Sequence, residues 1–100
     1  MKCEDVIQRC YELVDLNRGY AEETKKIHRY ERNPMCTNFI NAVQRYAADV
    51  IYPFVSRLSN MMHSGAPVDP EWVERNLQRF EAQTEAHRMT LEMLKTMPAW

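Results

Sequence analysis

The stretch from Thr37 to Ser64 constrains the fold of this chain most strongly. It carries only three ionised side chains. Its apolar residues recur with helical spacing over about half of the circumference of a helix. A face this wide is typical of a central helix that is covered by two neighbouring helices. We therefore expect a long central helix with Thr37 as its N-cap and an end near Ser64 and Gly65.

Pro53 lies inside this stretch, and no glycine stands beside it. A proline ring removes one backbone donor and presses on the carbonyl group four residues earlier, here that of Asp49. Without a glycine to end the helix, the sequence predicts a central helix that is kinked at Pro53 rather than broken.

Residues 3–32 are expected to form the first helix. Acidic residues stand in its first turn and basic residues near its end, where the helix dipole stabilises each sign of charge. A heptad-like seam runs through it: Cys3, Val6, Cys10, Leu13, Asn17, Tyr20, Thr24, Ile27 and Glu31. Gly19 could close one helix and let another begin, but no good N-cap precedes Tyr20. The sequence therefore favours one continuous helix.

The clearest local signal in the chain marks the start of the last predicted helix. Asp69 has the chemistry of an N-cap, and Pro70 suits the first helical position. The helix is expected to run to about Met97, with Pro98 as its stop. Its seam residues alternate in steps of four and three: Val73, Leu77, Phe80, Thr84, His87, Leu91 and Leu94.

This regular seam and the short connectors, among them residues 33–36, indicate helices that pack side by side. The predicted fold is all-α, an antiparallel three-helix bundle in a single domain of residues 1–100. It becomes a four-helix bundle if the first helix breaks near Gly19.

Charge and cysteine usage restrict the function classes. The net charge is −1, which argues against a protein held to nucleic acid or to an anionic membrane by overall charge. No apolar run is long enough to span a bilayer. Cys3 and Cys10 would lie about 10 Å apart on a helix, too far for a disulfide. With Cys36 they make an odd number, so we expect a reducing cytoplasm, although their role beyond packing stays open.

The last helix carries a second apolar line, which we call the Met line: Ala82, Ala86, Met89, Met93 and Met97. It lies more than about 100° around the helix from the seam, so a partner covers it or it is an exposed patch. Methionine adapts its shape to a partner. We expect Met89, Met93, Met97 and Trp100 to anchor a protein partner, with Ala82 and Ala86 permitting close approach. Arg88, Glu92 and Lys95 would supply polar contacts. The alternative is that the bundle itself covers this line.

Polar residues interrupt both outer seams, Asn17 and Thr24 in the first helix and Thr84 and His87 in the last. Such residues often set the register of packed helices. We interpret His87 as a hydrogen-bonded structural residue rather than a pH switch or a metal ligand. No pair of zinc ligands and no Glu-x-x-His pair has metal-site spacing, so no metal or cofactor is expected. No phosphate-binding loop or nucleophile elbow points to catalysis.

A basic cluster forms the nucleic-acid alternative: Lys25, Lys26, Arg29 and Arg32. On one helix face, Lys25, Arg29 and Arg32 could contact phosphates. Glu22 precedes Lys26 by four residues, however, which favours an ion pair that lowers the local charge.

The sequence thus favours a non-catalytic protein–protein interaction module, a regulator, inhibitor or adaptor of a larger assembly. The first alternative is a structural homodimer, and the second is nucleic-acid contact through the basic cluster. As a type, such a compact, near-neutral helical chain resembles small phage- or plasmid-encoded inhibitors and adaptors, although no particular residues carry the resemblance.

Overall fold

A computed structural model describes residues 2–97 of the chain. Four α-helices lie in this range: α1 (Cys3–Thr24), α2 (Pro34–Tyr46), α3 (Tyr52–Ser64) and α4 (Pro70–Thr96). A π-helical segment, Ala47–Ile51, joins α2 to α3, so that residues 34–64 form one unbroken helical segment. The all-helical class is confirmed, and so is the packing of three long helical segments against one another.

Helix α1 runs through Gly19 without interruption, which confirms the interpretation as one helix. It ends at Thr24, however, and not at residue 32. The hydroxyl group of buried Thr24 donates a 2.7 Å hydrogen bond to the carbonyl oxygen of Tyr20. The chain then turns through Arg29, whose φ of 59° is left-handed and incompatible with a continuing right-handed helix. Only a short 3₁₀ turn, Tyr30–Arg32, precedes α2.

Helix α2 begins earlier than predicted. The side chain of Asn33 accepts a 3.0 Å hydrogen bond from the backbone N–H of Met35, and Pro34 takes the first helical position. The prediction of Thr37 as the N-cap is therefore wrong, because the Asn33-Pro34 pair is itself a helix start and not a connector. At the other end, Gly65 adopts the left-handed conformation, with a φ of 71°, and confirms the predicted stop.

The irregularity that Pro53 imposes lies on its N-terminal side, in the π-helical segment Ala47–Ile51. Here the backbone N–H of Tyr52 bonds to the carbonyl oxygen of Ala47, five residues back. The wider turn gives room to the carbonyl groups that a proline ring would otherwise contact. Ala47 and Ile51 both remain buried, so the segment keeps its face in the core.

The start of α4 agrees with its prediction. The carboxylate of Asp69 accepts a 3.0 Å hydrogen bond from the N–H of Glu71, and Pro70 is the first helical residue. The helix ends at Thr96, and Pro98 lies outside the described residues. Its seam is buried at every predicted position except Leu77, which is half-buried.

Two apolar clusters form the core. One joins the N-terminal half of α1 to α3 and to the first half of α4, with Leu13, Ile51 and Phe80 fully enclosed. The other joins Ala21 to α2 and to the last turns of α4. A polar layer of Asn17, Thr84 and His87 lies between them along the helices. The molecule measures 54 × 17 × 16 Å, so this layer crosses the middle of a long, narrow stack.

Candidate functional site

The Met line lies on the side of α4 opposite its buried seam. Met89 and Met93 are 61% and 51% exposed, and Ala82 and Ala86 are exposed beside them. Met97 is different, because it is half-buried and packs against the second apolar cluster. The helices therefore leave most of the Met line uncovered. The predicted anchor Trp100 lies outside the described residues.

Charged residues border the Met line on the side that faces α1. Arg88 donates hydrogen bonds of 2.7–3.0 Å to Glu85, and this contact lowers the pKa of the Glu85 carboxyl group. Lys95 lies 3.7 Å from Glu92 and 3.8 Å from Glu23 on α1. The predicted polar contacts Arg88, Glu92 and Lys95 are thus already held in place by ion pairs within the molecule. Exposed pairs of this kind add little stability, and a partner could exchange them at small cost.

A groove of about 550 Å³ lies on the outer surface of α1. Leu16, Gly19 and Tyr20 contribute apolar surface to it, and Leu16 is 41% exposed. Charged residues complete its lining: Arg9, Glu12, Asp15 and Glu23. The sequence interpretation did not include this groove. Leu16 is the residue that could have indicated the groove, because it is apolar, lies off the seam and is not part of the predicted core.

The basic cluster does not form the predicted helical face. Because α1 ends at Thr24, Lys25, Arg29 and Arg32 do not share one regular helix. Lys25 pairs with Glu22 at 3.3 Å and Lys26 with Glu23 at 3.2 Å. The predicted pair of Glu22 with Lys26 is therefore wrong, since the ion pairs join residues three apart. Two of the four cations are already engaged by carboxylates.

The polar layer at the centre is a continuous hydrogen-bond network. The amide nitrogen of Asn17 donates to the carbonyl oxygen of Leu13 at 2.8 Å and to the hydroxyl oxygen of Thr84 at 2.9 Å. The amide oxygen of Asn17 lies 2.7 Å from Nδ1 of His87, and Nε2 of His87 lies 3.0 Å from the amide nitrogen of Gln83. The network joins α1 to α4 at one fixed register.

These contacts define the state of His87. The Asn17 oxygen can only accept, so Nδ1 carries the proton, while Nε2 accepts from Gln83. The rings of Phe39 and Tyr46 meet the imidazole edge to face, with centroids 5.9 and 5.5 Å away. Burial in these surroundings lowers the pKa of His87. Both nitrogens of the imidazole are thus hydrogen-bonded, as the sequence suggested.

The cysteines are all free thiols. Burial, aided by the charge of Glu81, raises the pKa of Cys10 to about 11, and burial also raises the pKa of Cys36. Both thiols therefore stay protonated near neutral pH and are weak nucleophiles. Within residues 2–97, no cluster of three or more His, Cys, Asp or Glu side chains is arranged to hold a metal ion.

Comparison with protein-family models, with curated proteins and with solved structures finds no match to this chain. Functional arguments therefore depend on its own surfaces. In the part of the chain that the structure describes, no helix has both the length and the hydrophobicity needed to cross a membrane.

Proposed function

We propose that this protein is a non-catalytic protein–protein interaction module, a small regulator, inhibitor or adaptor of a larger protein assembly. It docks through the Met line of α4. The observation that carries the proposal is the 61% and 51% exposure of Met89 and Met93 on a helix whose opposite side already supplies the core. Burial of such apolar surface by a partner stabilises the complex by about 25 cal/mol for each Å² removed from water.

The chemistry of the Met line supports a protein as its occupant. Ala82 and Ala86 are small and exposed, which allows a partner helix or groove wall to come near the backbone of α4. Methionine side chains then fill the irregular space of an apolar groove. The Glu85–Arg88 pair supplies a polar rim on one side.

We also infer that the three helical segments form the antiparallel bundle expected from the sequence. Along α1 and α4, the numbers of contacting residues rise together: Arg9 with Glu81, Asn17 with His87, and Glu23 with Lys95. Along residues 34–64 they fall as those of α4 rise: Phe54 with Trp72, Tyr46 with Phe80, and Phe39 with His87. These pairings support an up–down–up order. The predominantly buried free thiols favour a reducing cytoplasm as the compartment.

The substitution Met93→Glu tests the proposed docking surface. A carboxylate on this exposed position should leave the fold intact and remove partner binding, because a charge would have to be buried in the interface. Met35→Glu is the matched control, since Met35 is 44% exposed on α2, away from the Met line. Affinity capture should retain one and the same partner with the wild type and with Met35→Glu, and lose it with Met93→Glu.

Circular dichroism and light scattering of the same variants separate the alternatives. Loss of helicity in Met93→Glu alone would show that the Met line is core, and the proposal would fail. A wild-type dimer that Met93→Glu converts to a folded monomer would assign the Met line to a structural homodimer. If partner retention survives in Met93→Glu but is lost in the double variant Lys25→Glu with Arg29→Glu, nucleic-acid contact through the basic cluster replaces the proposal.

A further inference from the structure

Within residues 2–97, neither the backbone conformation nor a packing contact requires a glycine at position 19. It lies in the middle of α1 with right-handed helical geometry, so no unusual backbone angle calls for glycine. In the part of the chain that the structure describes, a Cβ atom placed on it would meet no atom within 4 Å beyond its chain neighbours and the backbone of its own helix, so no packing contact calls for glycine either. Glycine in a helix interior is destabilising relative to alanine. The bare backbone at this position leaves room for a close approach from outside the molecule.

Gly19 lies in the α1 groove, next to the two residues that give the groove its apolar surface. Leu16 precedes it by three residues and is exposed, and Tyr20 follows it and is half-buried. The missing side chain of Gly19 opens space between them. With about 550 Å³ the groove is large enough for a leucine-sized or aromatic side chain and the backbone that carries it.

The charges around this apolar floor are mostly negative. Three carboxylates line the groove and one cation, Arg9. Arg9 bonds to Glu81 at 2.8 and 2.9 Å and to Glu12 at 3.0 Å. Glu23 pairs with Lys26 and Lys95, so Glu12 and Glu23 are both engaged within the molecule. Asp15 makes no ion pair within residues 2–97. Asp15 is therefore the groove carboxylate that a cationic group of an occupant would complement.

We propose that the α1 groove binds a helical segment of a partner protein that places one apolar side chain over Gly19, between Leu16 and Tyr20, and a lysine or arginine beside Asp15. The apolar side chain is the anchor, and the cation selects the partner. This surface is on α1 and is distinct from the Met line, so either proposal can fail while the other stands.

A pair of model peptides tests the groove in the full 100-residue chain. The probe is an acetylated, amidated amphipathic peptide with leucines along one helical face and lysines on the other. The control peptide carries glutamate at every lysine position. Titration into ¹⁵N-labelled protein at low salt should move the amide signals of Leu16, Gly19 and Tyr20 with the lysine peptide and leave them in place with the glutamate peptide.

Three variants make the test specific. Asp15→Lys should weaken binding of the lysine peptide about tenfold or more, because two cations then face each other. Glu22→Lys is the matched control on the same helix, outside the groove lining, and should change affinity less than about twofold. Gly19→Gln should raise the melting temperature, since glutamine favours helix, and should abolish peptide binding by filling the groove.

Several outcomes would overturn the proposal. These are equal binding of both peptides, unchanged binding to Gly19→Gln, or equal loss in Asp15→Lys and Glu22→Lys. Signal changes confined to Met89 and Met93 would assign apolar binding to the Met line alone. No binding of the lysine peptide by the wild-type protein would also refute the groove as a docking site, whatever Met93→Glu does.

Discussion

Replacing Asn17 by leucine should destabilise this protein strongly, although leucine is similar in size and more hydrophobic. Asn17 is fully buried and is the hydrogen-bond partner of both Thr84 and His87. Leucine leaves the Nδ1–H of His87 and the hydroxyl group of Thr84 buried without that partner. Each such group costs about 1–3 kcal/mol. The apolar gain of about 1.5–3 kcal/mol offsets part of this, so we expect a net loss of about 1–3 kcal/mol.

Urea unfolding followed by circular dichroism at pH 7.5 measures this loss. A triple variant, Asn17→Leu with Thr84→Val and His87→Leu, is the essential comparison. It removes every orphaned group at once and should recover much of the stability, because an apolar layer has no hydrogen bonds to lose. The stabilising role of the network is refuted if Asn17→Leu leaves the free energy of unfolding unchanged. It is also refuted if the triple variant is no more stable than Asn17→Leu, because the loss would then not come from unpaired polar groups.

Two further predictions follow from the same core. The unfolded chain takes up a proton on His87 near pH 6.5, whereas burial lowers the pKa of His87 in the folded protein. The free energy of unfolding should therefore show no loss from His87 above about pH 6.5, and it should decrease as the pH drops from there towards the pKa of His87 in the folded protein. In urea titrations between pH 7.5 and 5, the variant His87→Gln should lose this dependence, and parallel curves for the two proteins would contradict the assignment to His87. Phe80 is only 2% exposed, so Phe80→Ala should cost about 3–5 kcal/mol, whereas half-buried Leu77→Ala should cost about 1–2 kcal/mol. Equal losses for the two variants in thermal unfolding would show that their burial does not govern the cost.

Local chemistry explains which parts of the fold the sequence predicted well. The Asp69-Pro70 start and the Gly65 stop depend on groups a few residues apart, so they can be identified without tertiary contacts. The seam of α4 follows from spacing alone, and only Leu77 is less buried than expected. The exposure of Met89 and Met93 follows from the same spacing, since a helix that buries one face leaves the opposite face outside.

Errors arose where two local signals compete. Asn33-Pro34 and Thr37 both have the chemistry of a helix start, and hydrogen bonding in the folded chain selects Asn33. The segment 25–32 has helical composition and a dipole-compensating charge pattern. It nevertheless leaves the helix, because the chain must reverse before α2, and Arg29 takes a left-handed conformation to do so. The regular basic face of the nucleic-acid alternative is lost with it.

The sequence by itself determined the all-helical class of this protein, the helix stop at Gly65, the helix start at Asp69 and most of the residues that face its core, because these depend on spacing and on neighbours along the chain. Only the tertiary structure decided what lies together between helices. Asn17 and His87 are 70 positions apart and meet at 2.7 Å, and Arg9 crosses to Glu81. The α1 groove is likewise a product of packing. Helical periodicity shows which way a side chain points, but the register between helices decides what it meets.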